Sequence, residues 1–321
     1  MSHPLLEKHR ATLEGALHAI ATRGYWSAYN EMPSPKAYGE TAAEDGKKAF
    51  DAHLGEDFAL GQPGQTGWHG GEESPYGIEL NVTYPVCDID ALIAAGDRAM
   101  PGWQAAGADG RTGICLEILD RLNRQSFELA HAVMMTTGQG WMMAFQAGAP
   151  HAQERGLEAV AYAYREQRFV PHEATWEKPQ GKNPPLVLKK HFEIVGRGVG
   201  VVVGCGTFPT WNTYPGLFAA LATGNAVIVK PHGNAILPAA ITVRTIRAVL
   251  AENGIDADLV TLAVADHETT QKLVTHPAVK SVDFTGGNVF GQWLLDHCRQ
   301  AQVYAELAGV NNIVIDSTDA Y

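Results

Sequence analysis

The sequence predicts an α/β fold, a doubly wound parallel sheet of the Rossmann type behind an amino-terminal helical and irregular extension. Three observations carry this. From residue 199 onward, short β-branched runs alternate with helical stretches. Most of the runs are apolar along their length, as strands buried on both faces require. No internal repeat or low-complexity tract interrupts the series.

Taken in order, residues 4–26 place Leu6, Leu13, Leu17 and Ile20 at helical spacing and predict a helix. Residues 27–86 are rich in Gly, Pro and aromatics, as in Met32-Pro33-Ser34-Pro35 and Gly67-Trp68-His69-Gly70-Gly71, and read as an irregular, wrapped segment. Helices are expected near 88–106, 111–138 and 149–168, the middle one with Ile114, Ile118, Leu119, Leu122 and Leu129 on a stripe. Glu177 to Pro185 gives a polar turn, and Leu186-Val187-Leu188 an extended arm. Strands then fall at Val199–Val203, Ala226–Val229, Leu259–Val264, Val279–Phe284, Val303–Ala305 and Ile313–Ile315. The helices between them lie at 216–223, 239–252, 267–274 and 290–300.

Composition narrows the function. Lys and Arg number 24 against 35 acidic residues, a net charge of -11, which repels nucleic acid and anionic membranes. An anionic cofactor must then be held by local backbone N–H groups and one or two placed cations. No apolar signal core opens the chain and no run approaches a membrane span, so a cytoplasmic protein is expected. Cys87, Cys115, Cys205 and Cys298 form no C-x-x-C pair, which predicts reduced, buried thiols and no metal. His172-Glu173-Ala174-Thr175-Trp176 lacks the second histidine of a zinc motif, and no G-x-S-x-G elbow of a serine hydrolase is present.

In a doubly wound sheet, ligands bind beyond the carboxyl ends of the strands. The segments there are Gly204 to Asn212, Lys230-Pro231-His232, Thr285-Gly286-Gly287 and Glu306 to Gly309. Gly196-Arg197-Gly198-Val199-Gly200 leads into a strand, not a helix, so it is no dinucleotide fingerprint. Phe284-Thr285-Gly286-Gly287 turns a strand into a helix and offers N–H groups to a pyrophosphate, although a plain turn reads the same way. Gln292 stands where a P-loop needs lysine. Lys230 suits a ribose or phosphate, or is an ordinary surface lysine. Asn212 suits an oxyanion hole, or is a backbone cap. Glu306, between apolar neighbours, suits a general base raised by partial burial, or is a solvated edge carboxylate.

Phe208-Pro209-Thr210-Trp211-Asn212, Gly224 to Pro231, Asp283 to Gly287 and Glu306-Leu307-Ala308-Gly309 resemble, in order and spacing, the signature segments of the aldehyde dehydrogenase family. The resemblance covers about residues 88–321. It implies an NAD(P)-dependent oxidation of an aldehyde to a carboxylic acid through a cysteine thioester. It makes Asn212 the oxyanion donor and Glu306 the base that activates water. Pro209, Thr210, Trp211, Lys230, Thr285, Gly286 and Gly287 become cofactor contacts. The wording Thr207 to Gly216, with Ala308 to Asn311 and Val314 to Asp319, is similar to the PaaN branch, which implies an aldehyde from phenylacetate (CoA-linked aromatic) catabolism. The implied organisation is an extension over 1–87, a cofactor domain over 88–306 with an oligomerisation arm near 174–195, and a catalytic domain opening at 307–321.

Three departures accompany the resemblance. Gly233 replaces the glutamate that binds ribose hydroxyls, which favours NADP over NAD. Gly287 replaces a serine. The nucleophilic cysteine is expected beyond Tyr321, since neither Cys205 nor Cys298 matches its position, so the chain reads as a truncated, inactive cofactor-binding part of a homo-oligomeric enzyme. A non-catalytic dinucleotide-binding fragment or inactive paralogue is the alternative, and CoA is an alternative to water as acyl acceptor.

Overall fold

In a computed structural model that describes residues 3–309 and 312–314, the predicted first helix is two, α1 (Pro4–Lys8) and α2 (Arg10–Thr22). The break falls at His9, whose ring pairs with the Glu117 carboxylate at 2.8 Å, and the helix ends before residue 26 with Arg23 left-handed at φ 57°. Leu6, Leu13, Ala16 and Ile20 are the buried stripe. The wrapped segment is more regular than its composition suggests. It holds α3 (Pro35–Tyr38), α4 (Ala42–Asp51) and an antiparallel ribbon of β1 (Gln65–His69) with β2 (Tyr84–Cys87). Of α4 only Phe50 is buried, and Lys48–Glu44 and Lys47–Asp51 pairs span its turns, so an apolar period cannot reveal it.

Helices α5 (Ile89–Ala105), α6 (Gly107–Arg124), α7 (Ser126–Thr137), α8 (Trp141–Gly148) and α9 (Pro150–Gln167) come next. The long helix expected over 111–138 is therefore two. Gln125 leaves helical geometry at ψ 15°, and the Ser126 hydroxyl donates back to the Asn123 carbonyl at 2.6 Å. Helix α8, which the apolar stripe does not mark, starts after left-handed Gly138 at φ 77°. The polar turn and extended arm are one antiparallel hairpin, β3 (Glu173–Gln180) and β4 (Asn183–His191), turning at Gly181 with φ 64°. All but one of its strand residues are exposed, including Trp176, Leu186, Val187 and Leu188.

The sheet is built from β5 (Val199–Val203), α10 (Thr213–Ala222), β6 (Ala226–Lys230), α11 (Leu237–Glu252), β7 (Val260–Leu262), α12 (His267–Thr275), β8 (Val279–Gly286), α13 (Asn288–His297) and β9 (Gln302–Leu307). The strand order is β7-β6-β5-β8-β9, every neighbour parallel, so the chain reverses direction between β5 and β8. Helices α10 and α11 lie on one face, covered in turn by α6, α7 and α9, and α12 and α13 on the other. The doubly wound parallel sheet predicted from the apolar runs is present. A strand at Ile313–Ile315 is not: Ile313 and Val314 are exposed and outside any strand, and Ile315 lies outside the described residues, as do Val310, Asn311 and 316–321.

The extension is built into this core. Leu80, Val82 and Tyr84 belong to the same buried cluster as the sheet. The Gln62 carboxamide accepts from Leu262 N at 2.9 Å and donates to Leu262 O at 2.6 Å, pairing the open edge of β7 as a further strand would. Buried Glu72 accepts from Tyr84 Oη and from the backbone N–H groups of Ile236 and Leu237 at the start of α11. Among the described residues, no helix is long and apolar enough to cross a membrane.

Candidate functional site

The segments at the carboxyl ends of the five parallel strands converge on one cleft of about 680 Å³, within the roughly 300–1,000 Å³ of small-molecule sites. Its walls are Gly204 to Thr207 after β5, Lys230, His232 and Gly233 after β6, His267 and Thr270 of α12, Phe284 to Gly287, Phe290 of α13, and Glu306 to Ala308. It sits where the strand order reverses, the place a doubly wound sheet reserves for ligands.

Lys230 ends β6. Burial holds its ammonium below the usual lysine range, with the Asp266 carboxylate pulling the other way. Burial and the Lys230 charge likewise hold His232 below the usual histidine range, and its Nδ1 accepts from Asn234 N at 3.2 Å. Gly233 has nothing within 4 Å of where a side chain would begin. Across the cleft, Gly287 is the N-cap of α13 with no side-chain cap, which leaves the first N–H groups of that helix to the solvent side. Phe290 meets Phe284 edge-on at 5.4 Å and His267 at 5.0 Å, making an aromatic floor.

Glu306 departs from expectation. It is exposed, because β9 is an edge strand whose residues alternate between exposed and half-buried. Leu307 packs towards α13, where a Cβ on Gly291 would lie 2.1 Å from its Cδ2, so Glu306 projects to the α10 side.

The loop from β5 to α10 is pinned at several points. Phe208 N donates to Cys205 Sγ at 3.4 Å, the buried Thr210 hydroxyl donates to Gly148 O at 2.8 Å, and the Thr213 hydroxyl donates to Pro209 O at 2.6 Å. Trp211 packs on Phe208 at 6.1 Å, with the Arg155 guanidinium 5.4 Å from its ring. Asn212 stands at the N-cap of α10, yet its side chain makes no capping hydrogen bond. The backbone-cap alternative therefore fails, and the carboxamide is uncommitted among the described residues.

Lys230, Thr285, Gly286, Gly287 and Glu306 thus share the cleft, whereas Pro209, Thr210, Trp211 and Asn212 do not line it. Asn212 nevertheless lies one helical turn from Gly216, on the same face of α10, and Gly216 abuts Asp283 of β8. The register Thr285↔Glu306 lies one same-face pair beyond Asp283↔Tyr304, so Asn212 and Glu306 are carried towards the same end of the sheet. Cys205, His267, Thr270 and Phe290 line the cleft without a signature of their own; position at a strand end or helix start is the signal they share. Asp283 has a sharper one, a carboxylate between apolar Val282 and Phe284 in a central strand.

One cluster with metal-ligand geometry lies elsewhere, His9, Glu117 and Asp120. There burial raises the Glu117 carboxyl, but hydrogen bonds from Lys8, His9 and Arg121 outweigh it and hold the group at about 2, so cations already occupy its oxygens.

The model of the aldehyde dehydrogenase family matches residues 83–320. Among curated proteins, N-succinylglutamate 5-semialdehyde dehydrogenase of Burkholderia lata is 28% identical over 276 residues, 84% of this chain and 51% of its own. Alpha-ketoglutaric semialdehyde dehydrogenase 2 of Azospirillum brasilense is 32% identical over 167 residues, 50% of this chain and 31% of its own. The crystal structure of an NAD-dependent aldehyde dehydrogenase from Burkholderia multivorans superposes with a TM-score of 0.95 at 57% identity, covering 97% of this chain and 56% of that one. An NADP complex of glyceraldehyde-3-phosphate dehydrogenase from Methanocaldococcus jannaschii, at 16% identity and TM-score 0.61 over 77% of this chain and 52% of that one, shares the fold. The chain spans about half the length of the curated relatives it matches over most of its length.

Proposed function

The chain belongs to the aldehyde dehydrogenase family, and from that premise we propose that it carries the NAD(P) site, the oxyanion donor and the base of an oxidation of an aldehyde to a carboxylic acid. The observation that carries this reading is the single cleft assembled from all five strand ends at the reversal of strand order.

The residues present fit a dinucleotide. Lys230 supplies the one placed cation that an acidic protein needs, and Thr285, Gly286 and the uncapped Gly287 turn offer N–H groups to a pyrophosphate. Pro209, Thr210 and Trp211 belong to the pinned loop that carries Asn212. When bound, the cofactor supplies the acceptor for the hydride of the substrate. Asn212 offers N–H donors to the oxygen that becomes negative as a thiolate attacks the aldehyde, without itself titrating. Glu306 takes a proton from the water that hydrolyses the thioester. The thiol is assigned to none of Cys87, Cys115, Cys205 and Cys298, which are all buried.

The open space at Gly233 supports NADP over NAD, because a 2′-phosphate finds neither a side chain nor a carboxylate there. Calorimetric titration with both cofactors tests the site and the preference together: tighter NAD binding removes the preference, and binding of neither removes the site. The wording Thr207 to Gly216 supports an aldehyde from CoA-linked phenylacetate catabolism, and turnover of short unbranched semialdehydes in preference to aromatic-derived ones defeats that choice. The exposed hairpin of β3 and β4, with Trp176, Leu186 and Leu188 outward, supports self-association through that arm.

A further inference from the structure

On one face of β8, Phe284 packs against α13; on the other the strand carries Asp283, a carboxylate that a sheet interior has no structural need of. Side chains alternate along a strand and paired residues share a face, so Asp283, Thr285, Tyr304 and Glu306 stand together on the α10 side. The groups around Asp283 are few. Glu306 and Tyr304 face it from β9, and Arg155 of α9 is the cation whose field reaches it. Gly216, Ala219 and Ala220 of α10 and Val202 of β5 are not titratable.

Gly216 makes the room: a Cβ there would lie 2.5 Å from Asp283 Cγ and 2.8 Å from Oδ2. Among the described residues, the Asp283 carboxyl has no hydrogen bond and no ion pair. Burial first, then the Glu306 charge, push it up to about 6, with Arg155 opposing. Beside it runs a groove of about 350 Å³ that Gly216, Ser281, Asp283, Gln302 and Tyr304 help to line.

We propose that Asp283 is a second acid–base group of this site, placed to receive the proton that Glu306 takes from water and to pass it to the groove beside Gly216. This rests on the reading of Glu306 as the base. The water O–H bond breaks and its proton goes to Glu306, while the oxygen bonds to the acyl carbon and the C–S electrons leave with the thiolate. The proton then moves from Glu306 to the Asp283 carboxylate and on to water, which frees Glu306 for the next turnover. No electron changes hands. Asp283 acts through Glu306, which makes it a positioning residue.

Carboxyl-carbon NMR titration of the chain tests the pair without turnover, with Asp283→Asn identifying the resonance. The expected result is a midpoint near 6 that falls towards the ordinary aspartate range in Glu306→Gln. A midpoint already in that range, or one that Glu306→Gln leaves in place, overturns the proposal. Stopped-flow turnover of the protein at the family's full length, its thiol included, is the second readout. Asp283→Asn should slow the hydrolytic phase about tenfold relative to the burst of reduced cofactor and abolish its pH limb, with Asp283→Glu restoring both, an effect below the roughly 100-fold of a direct acid–base group. An unaltered hydrolytic pH profile in Asp283→Asn also overturns it. Absence of any burst in the unsubstituted protein at the family's full length instead defeats the proposed function, and the titration alone then decides whether Asp283 and Glu306 are a pair.

Discussion

Gly216 and Asp283 are in such close opposition that the side chain of one depends on the other having none. A Cβ on Gly216 would stand 2.5 Å from Cγ and 2.8 Å from Cβ of Asp283, atoms too near the strand to swing aside. Alanine gains about 1 kcal/mol over glycine in helix propensity, whereas overpacking costs about 1–3 kcal/mol, so the steric term wins. Gly216→Ala should lower stability in urea by about 1–2 kcal/mol, and combining it with Asp283→Ala should recover part of that. A neutral Gly216→Ala would mean that α10 slides freely on β8.

Lys230 separates binding from folding. Its ammonium is held below the lysine range by burial, so the folded protein gains little from it. Lys230→Met keeps the stem and removes the charge. Thermal denaturation should show stability unchanged or raised, while cofactor affinity in calorimetry falls about 10- to 100-fold, the equivalent of a hydrogen bond to a charged group. Unchanged affinity would take Lys230 out of the site.

The extension is expected to hold the start of α11 through Glu72. Burial raises this carboxyl, against hydrogen bonds from Tyr84 and from the N–H groups of Ile236 and Leu237. Because its folded value lies above the unfolded one, its contribution is present at low pH and lost as pH rises from the ordinary carboxylate range through the folded value. Glu72→Gln should flatten that decline in a stability-versus-pH series. Glu72→Ala, which strands the Tyr84 hydroxyl and two backbone donors, should cost about 1–3 kcal/mol. A Glu72→Ala protein as stable as its parent would show that solvent replaces the carboxylate at the start of α11.

What could be read from the sequence depends on what each residue does physically. Val199–Val203 and Ala226–Lys230 are buried along their length or nearly so, and their apolar runs announced the parallel sheet. That Lys230, Thr285 and Glu306 share one cleft was legible because strand ends are where such a sheet gathers its loops. The breaks at His9 and Gln125 were not, since a side chain of another segment fixes each: Glu117 pairs with the His9 ring, and Gln125 Oε1 accepts from the Thr245 hydroxyl. Glu306 stood between apolar neighbours in sequence, but an edge strand exposes alternate residues and left it in solvent. The pairing of Asp283 with Gly216 needs the α10 to β8 contact, which no local pattern encodes.

Asp283 should make the protein less stable than it needs to be. An aspartate raised from 3.8 to about 6 binds more protons folded than unfolded, so stability is full below the unfolded value and declines as pH rises through about 6. At ~1.4 kcal/mol per unit, and allowing for the side chain's partial exposure, the loss at neutral pH is roughly 1–3 kcal/mol. Asp283→Asn removes the titration with little change of shape. In urea denaturation it should be more stable than the parent at pH 8, by an amount that shrinks towards pH 4. A gain that is the same at both pH values would mean that packing, not ionisation, sets it. A pH-dependent gain combined with a slowed hydrolytic step would identify a residue retained against stability because the chemistry uses its charge.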